Sequence, residues 1–239
     1  MSAKVFEARI TEILPRTHDV LSFRVAFSEG MCYRAGQFMS VTIGEKEREL
    51  SKYLSFSSAP TEPGYLEFTK KISTSDFSQG LRRLRPGDAV RLKMPLGSFV
   101  LEETAPKHLF LSGGIGITPI RSIWKDAFDR DLHCDMRLLY SNKTPEDIAF
   151  KDDLEFMGRH GRNFRTVFSL DTADACPPDW RGRCGFISAA MIQDEVPDFF
   201  ERVFYVCGPP AMVANLLSIL QGQLKVPEKQ IKRENFAGY

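Results

Sequence analysis

The feature that most constrains the fold of this sequence is a change of hydrophobic rhythm near residue 105. Before it, short β-branched and aromatic segments alternate with turn residues. Val5–Leu14, Val20–Phe27, Gln37–Ile43, Tyr53–Ser58, Gly64–Lys71 and Ala89–Lys93 read as strands. Pro15, Gly30, Gly36, Pro60, Pro63-Gly64 and Pro86-Gly87-Asp88 punctuate them. Strands at this spacing predict a six-stranded antiparallel barrel. One helical piece interrupts it, because Phe77, Leu81 and Leu84 fall on one helix face. Beyond Pro106 the pattern becomes strand, helix, strand. Leu109–Ser112, Met136–Tyr140, Arg165–Leu170 and Val203–Cys207 are short apolar strands, and Thr118–Asp129, Asp147–Met157 and Ala211–Leu224 read as helices. Continuous apolar strands separated by helices predict a parallel α/β sheet buried on both faces. The polar link Glu102–Pro106 marks the junction, which gives a β domain over 1–104 and an α/β domain over 105–239.

Charge and composition exclude several function classes. Lys plus Arg number 32 against 31 Asp plus Glu, a net charge of +1 that lacks the basic excess of a nucleic-acid or membrane-surface protein. No apolar run reaches the roughly 18 residues of a membrane span, and the start of the chain has no secretory h-region. The expected compartment is cytoplasmic. The 5 cysteines are odd in number and widely spaced, which disfavours a disulfide framework. They form no C-x-x-C pair and no iron–sulfur run, and the 4 histidines are scattered, so no metal site is expected.

The strand Leu109–Ser112 runs directly into Gly113-Gly114-Ile115-Gly116-Ile117-Thr118-Pro119. Glycines between a strand and a helix let backbone N–H groups approach a phosphate, whose charge the helix N-terminus favours. Thr118 reads as the N-cap and Pro119 as the first helical residue. A plain tight turn is the competing explanation. The spacing departs from the dinucleotide fingerprint G-x-G-x-x-G: Pro119 replaces the third glycine, and the next strand ends Tyr140-Ser141-Asn142-Lys143 without an acidic residue. Both departures disfavour a Rossmann dehydrogenase.

Taken in order, the motifs resemble the ferredoxin–NADP⁺ reductase superfamily, whose members join an FAD-binding barrel to a pyridine-nucleotide domain and carry a G-x-G-x-x-P loop. The resemblance spans nearly the whole chain. Lys52-Tyr53-Leu54-Ser55 is similar to the family's R-x-Y-[ST] flavin motif. It implies that Ser55 lies near flavin N5, that Lys52 stands in for the arginine on the FAD pyrophosphate, and that Leu54 replaces the tyrosine packed on the flavin. Ser75-Asp76-Phe77-Ser78 resembles the turn whose helix N-terminus holds the pyrophosphate; a simple helix cap explains it equally well. Phe68 and Lys70 lie on the strand that in the family carries further ribityl and phosphate contacts. For the dinucleotide the resemblance implies Gly113, Gly114, Gly116, Thr118, Pro119 and Asn142, together with the strand-end motif Cys207-Gly208-Pro209 and Met212. In the family this cysteine sits beside nicotinamide C4. Glu234 and Phe236 match the family's C-terminal Glu-x-aromatic ending, which implies Glu234 near the serine and Phe236 on the isoalloxazine face; Tyr239, three residues on, either lies over the FAD as well or belongs to an unstructured terminus.

The resemblance implies hydride transfer from a nicotinamide to FAD and onward delivery of electrons to an external acceptor, a small redox protein such as a ferredoxin, flavodoxin or cytochrome. Ser55, Cys207, Glu234 and Phe236 are the residues it places at the reacting rings. NADP-linked members usually carry Ser and Arg after the third α/β strand. Here the segment reads Ser169-Leu170-Asp171, and a carboxylate there repels a 2′-phosphate, which favours NADH over NADPH. Lys143 and Arg137 are the remaining sources of positive charge. Two other readings stay open at this point: an electron-transfer subunit active only within a complex, and a non-catalytic nucleotide-binding module.

Overall fold

A computed structural model describes residues 2–44 and 48–235. Six strands, β1 (Lys4–Pro15), β2 (Val20–Ala26), β3 (Phe38–Ile43), β4 (Leu50–Ser55), β5 (Tyr65–Lys71) and β6 (Ala89–Leu96), form an antiparallel sheet in the order β4-β3-β6-β1-β2-β5. The long β1 serves two partners. Its first half pairs with β6, its second with β2, and the register shifts between Ile10 and Glu12. An extra residue at such a point bends a strand and increases its twist. The sheet curls until the chain just past β4 meets β5 at a Phe56–Phe68 bridge. Alternate residues point inward, so Phe23, Met39, Val41, Leu66, Phe68, Leu92 and Met94 make a core with 0% exposure each. Helix α1 (Asp76–Arg83) lays Phe77 and Leu81 against it.

The second sheet is parallel, with β7 (Lys107–Gly113), β8 (Asp135–Asn142), β9 (Phe164–Leu170), β10 (Arg183–Cys184), β11 (Val203–Gly208) and β12 (Ile231–Asn235) in the order β10-β9-β8-β7-β11-β12. Leu109, Leu111, Phe204 and Val206 are fully enclosed in its core, as expected of strands covered on both faces. The crossovers carry α2 (Ile117–Asp129), α3 (Lys151–His160), α4 (Ala189–Glu195) and α5 (Pro210–Leu217). No helix of the described residues is long and apolar enough to cross a membrane.

The chain divides into two compact units, Met1–Leu101 with Thr118–Arg130, and Glu102–Ile117 with Asp131–Tyr239. Most of α2 thus belongs to the first unit. The cause is a buried ion pair: Arg121, 6% exposed at its side chain, grips Glu62 through both guanidinium nitrogens and donates to the Ser57 carbonyl at 2.9 Å. Ser122 donates to the Ser58 carbonyl at 2.6 Å.

Several elements differ from the sequence expectations. Thr118 is not an N-cap, because a 3₁₀ turn over Gly114–Gly116 starts the helical path earlier and α2 already begins at Ile117. Pro119 remains in the first turn, where its missing N–H costs nothing. Phe150, at φ +58°, breaks the expected Asp147–Met157 helix, and α3 begins one residue later. The helix at Ala211–Leu224 changes to a π-type turn at Ser218. The strand β12, IKREN, is too polar to show an apolar rhythm. Among the cysteines one pair closes: Cys176 and Cys184, with Cα atoms 6.3 Å apart, form a disulfide across a loop. The parity of the count disfavoured a framework, and parity carries no information about a single local bridge.

Candidate functional site

In an open parallel sheet, ligands bind beyond the carboxyl ends of the strands where the strand order reverses. Here the chain runs from β7 outward through β8, β9 and β10, then returns to the other side of β7 with β11 and β12. The switch point therefore lies between β7 and β11, where Ser112 pairs in register with Cys207. Both are 0% exposed, and the Ser112 hydroxyl has no hydrogen-bond partner. The glycine loop follows directly. Gly114 adopts φ +51° with open space at its Cβ position, a conformation that disfavours any side chain. Gly116 is needed for a different reason, since a Cβ there would lie 2.5 Å from the Cys207 carbonyl oxygen. Close approach of the loop to β11 thus demands glycine. Met212, in the first turn of α5, packs its sulfur against Gly113, and Pro209 caps that helix after Gly208.

On the far side of β11, Glu234 of β12 pairs in register with Cys207. Its Oε2 is buried without a hydrogen bond, and burial pushes its pKa up to about 7. Burial, with Glu234 as the nearby negative charge, pushes the Cys207 thiol upward too, so it stays protonated. On the other side, the buried Asn142 ends β8 and its carbonyl accepts the Asp171 N–H at 2.9 Å. The Asp171 carboxylate accepts a hydrogen bond from Ser141 at 2.6 Å. The sequence offered Arg137 as a source of positive charge, and the structure places it elsewhere. Arg137 is bound to Asp135 at the start of β8, five residues or about 16 Å from Asn142, and supplies nothing to the strand ends. Leu170 is 0% exposed, so an arginine in its place would bury a charge instead of meeting a phosphate.

In the first unit, the candidate residues are interleaved with the core. Strand alternation puts Lys52 and Leu54 on one face of β4, Tyr53 and Ser55 on the other. Leu54 packs into the core at 6% exposure, whereas Tyr53 is 68% exposed with its ring edge against Phe38. Ser55 is 1% exposed and its hydroxyl has no hydrogen-bond partner. On β5, the Phe68 ring stacks on Phe23 at 5.3 Å inside the core, so only its backbone can touch a cofactor. The Phe77 ring is likewise core. Lys70 is a lysine with 5% exposure whose ammonium donates to the Lys71 carbonyl; burial and the neighbouring Lys52 charge hold its pKa down. Ser75 is the N-cap of α1, and the hydroxyls of Ser73, Ser75 and Ser78 form a triangle with sides of 3.1 Å. Two cations, three hydroxyls and a helix N-terminus favour a doubly charged anion. Phe236 and Tyr239 lie outside the described residues.

Three residues near these strand ends were not singled out from the sequence. Ser141 was read only as part of a strand end, Ser112 only as part of β7, and Phe186 not at all. Phe186 is 66% exposed and follows Gly185, which is tied to the β9 end by a bond to the Leu170 carbonyl. Only the dipeptide Gly185-Phe186 after the cysteine loop hinted at it.

Comparison with known proteins fits these two halves. Residues 7–101 match the oxidoreductase FAD-binding domain family and residues 110–217 the oxidoreductase NAD-binding domain family. Ferredoxin--NADP reductase B of Sorangium cellulosum is 27% identical over 99% of this chain and 99% of its own length. NADH-cytochrome b5 reductase 1 of Aspergillus terreus is 30% identical over 84% and 67%. The glycine betaine monooxygenase reductase subunit of Chromohalobacter salexigens is 28% identical over 89% of this chain, which spans only 59% of that relative's length. Among solved structures, a ferredoxin NADP⁺ reductase from Neisseria gonorrhoeae with bound FAD and NADP shares the fold at a TM-score of 0.80 and 23% identity, covering 98% and 99% of the two chains. Fold and families together define an oxidoreductase with one FAD-binding and one NAD-binding domain. The chain belongs to the ferredoxin–NADP⁺ reductase superfamily. Its residues fit both groups: the orphaned Ser55 hydroxyl and the α1 cradle suit FAD, and the Gly114–Gly116 turn with the orphaned Ser112 hydroxyl suits a dinucleotide.

Proposed function

We propose that this protein is an NADH-linked FAD reductase that hands electrons to a separate redox protein, with its domains divided at residues 104 and 105. The observation that carries the reading is the pair of buried, unpartnered hydroxyls, Ser55 on β4 and Ser112 at the switch point, each in the half that its family match assigns to one cofactor. A buried polar group without a partner costs free energy, and a ligand that bonds to it removes that cost. When bound, FAD and the nicotinamide supply the redox chemistry, and the protein supplies alignment and electrostatics.

Lys52, Lys70, Ser75 and Ser78 hold the pyrophosphate of FAD, and Ser55 orients its ring system. Tyr53, exposed on β4, offers its ring to the flavin, while Leu54 shapes the site from the core behind it. The loop Gly113, Gly114, Gly116, Thr118 and Pro119 holds the dinucleotide phosphates, with Asn142, Gly208, Pro209 and Met212 shaping the strand ends around it. Cys207, buried and protonated, packs against the nicotinamide. Glu234 holds a proton on its carboxyl near neutral pH. Asp171 accepts from the adenosine ribose, and Phe186 offers a ring face to the adenine. Phe236 and Tyr239 are assigned to the flavin. The neighbourhood of NADH-cytochrome b5 reductase 1 supports the coenzyme choice.

The acceptor is a separate protein, a reading supported by relatives named as reductase subunits and components of monooxygenases. The experiment is a spectrum of the purified protein followed by NADH oxidation with a ferredoxin, a flavodoxin, a cytochrome and ferricyanide. Flavin bands with NADH-driven reduction of at least one protein acceptor are expected. A colourless protein that FAD cannot reconstitute overturns the reading in favour of a nucleotide-binding module. Reduction of ferricyanide alone favours an electron-transfer subunit that needs its complex.

A further inference from the structure

We propose that Ser141 sets the coenzyme preference of this protein as a positioning residue, by fixing the carboxylate of Asp171 at the adenosine end of the dinucleotide site. The inference rests on the reading that Asp171 meets the adenosine ribose, and it deepens that reading by naming what makes the carboxylate selective.

The geometry begins with register. β8 and β9 are parallel, with Ser141 opposite Ser169 and Asn142 opposite Leu170. Past Leu170 the chain turns back over the end of β8, because the Asp171 N–H donates to the Asn142 carbonyl at 2.9 Å. That crossing carries the carboxylate over Ser141, whose Oγ donates to Oδ1 at 2.6 Å. Ser141 is 4% exposed, so its hydroxyl is held inside the protein, where water competes little for it. A short hydrogen bond to a carboxylate is of the charge-assisted kind. It occupies one oxygen only, and Oδ2 makes no hydrogen bond among the described residues. The backbone bond and the side-chain bond together fix both the position and the rotamer.

A carboxylate fixed in this way accepts from the two hydroxyls of an unmodified ribose and stands in the path of a 2′-phosphate. A carboxylate free to rotate turns toward water when the phosphate arrives, and the discrimination weakens. Ser141 thus acts through Asp171 and touches no reacting atom.

The test uses the holoprotein and four forms: wild type, Ser141→Ala, Asp171→Asn and the double variant. Steady-state kcat and KM for NADH and NADPH are measured, with competitive inhibition by AMP and by 2′-phospho-AMP, which probe the adenosine half alone. Ser141→Ala is expected to narrow the NADH/NADPH ratio of kcat/KM about fivefold, through KM, with kcat at saturating NADH unchanged. The inhibition constants for the two nucleotides should converge by a similar factor. The double variant should be no less selective than Asp171→Asn alone, because a positioning residue has no effect once its client is gone. If Asp171→Asn narrows the ratio and Ser141→Ala does not, or if Ser141→Ala lowers only the thermal midpoint, the role of Ser141 is overturned while the ribose reading stands. If Asp171→Asn leaves the ratio unchanged, the ribose reading fails and the proposal falls with it. Additive effects in the double variant also overturn it.

Discussion

The two units build their sites in opposite ways. In the antiparallel unit, candidate cofactor residues and core residues share the same strands: on β5, Phe68 fills the core while Lys70, two residues on along the same face, carries an ammonium that feels the Lys52 charge. In the parallel unit, the strand bodies are wholly structural and the candidate residues begin where they end, at Ser112, Asn142, Asp171 and Cys207. A sheet with one face in the core has to share its residues between stability and binding. A sheet covered on both faces can push binding beyond its ends. Substitutions should therefore separate stability from binding residue by residue in the first unit and loop from strand in the second.

The largest expected effect tests the core assignment of a motif residue. Phe68→Ala removes a fully buried ring stacked on Phe23, and emptying such a site costs about 3–5 kcal/mol. Denaturant unfolding measures it. A loss below about 1 kcal/mol with a large loss of FAD would mean that the ring serves the cofactor after all.

A similar magnitude, now dependent on pH, is expected at Glu234. Its folded pKa of about 7 lies above the ordinary carboxylate value because of burial. The folded state therefore binds this proton more tightly than the unfolded chain. The stabilisation is complete below about pH 4.5 and is lost as pH rises through 7, on the order of 3 kcal/mol in all. Asp135, Asp198 and Glu62 shift the other way, each held low by arginine or lysine partners, so the absolute profile mixes both signs. The difference between wild type and Glu234→Gln isolates the one group. That difference should change steeply between pH 5 and 7, and a difference that stays flat would place the carboxyl in water.

Much of this division was legible in the sequence, for reasons that differ by unit. Alternating apolar residues and turn signals located the six strands of the first sheet, and the apolar runs before Gly113 and Gly208 located β7 and β11. β10, with two residues, and β12, with a polar IKREN run, carried no apolar signal because sheet edges need little burial. The cofactor motifs named the right strands, yet linear spacing could not tell which side of a strand a residue faces against the curled sheet. Leu54 therefore turned out to belong to the core, and Phe77 joins it from the buried face of α1. Ser141 escaped because its significance depends on where the chain goes after β9, a contact across 30 residues that no local pattern records.

Lys52 tests the other half of the first unit's pattern. It is half-buried on β4 and its charge acts on Lys70, so removing it relieves like-charge repulsion while deleting the charge-assisted contact proposed for the pyrophosphate. Lys52→Ala is expected to weaken FAD by about 1.5–3 kcal/mol and to leave the unfolding midpoint of the cofactor-free protein unchanged or slightly raised. Fluorescence titration of the cofactor-free protein with FAD gives the first number, and denaturant unfolding gives the second. Equal losses in both would place Lys52 with the structural residues of its strand.

The smallest effect separates conformation from close approach within one loop of the second unit. Gly114 and Gly116 lie two residues apart, and their reasons for being glycine differ. At Gly114 the space is open and only the φ of +51° resists a side chain, so Gly114→Ala should cost about 1 kcal/mol through backbone strain. For a protein of this size that lowers the thermal midpoint by roughly 2–4 °C. Gly116→Ala has no positive φ to violate, but its Cβ would meet the Cys207 carbonyl at 2.5 Å and press the loop away from β11. That displacement moves the backbone N–H groups proposed to hold the phosphates, so it should raise KM for NADH more than Gly114→Ala does at a similar cost in stability. Measuring both KM and midpoint for the pair decides the matter. If the two variants behave alike in KM, the loop adapts as a unit, and the close approach to β11 plays no part in placing the dinucleotide.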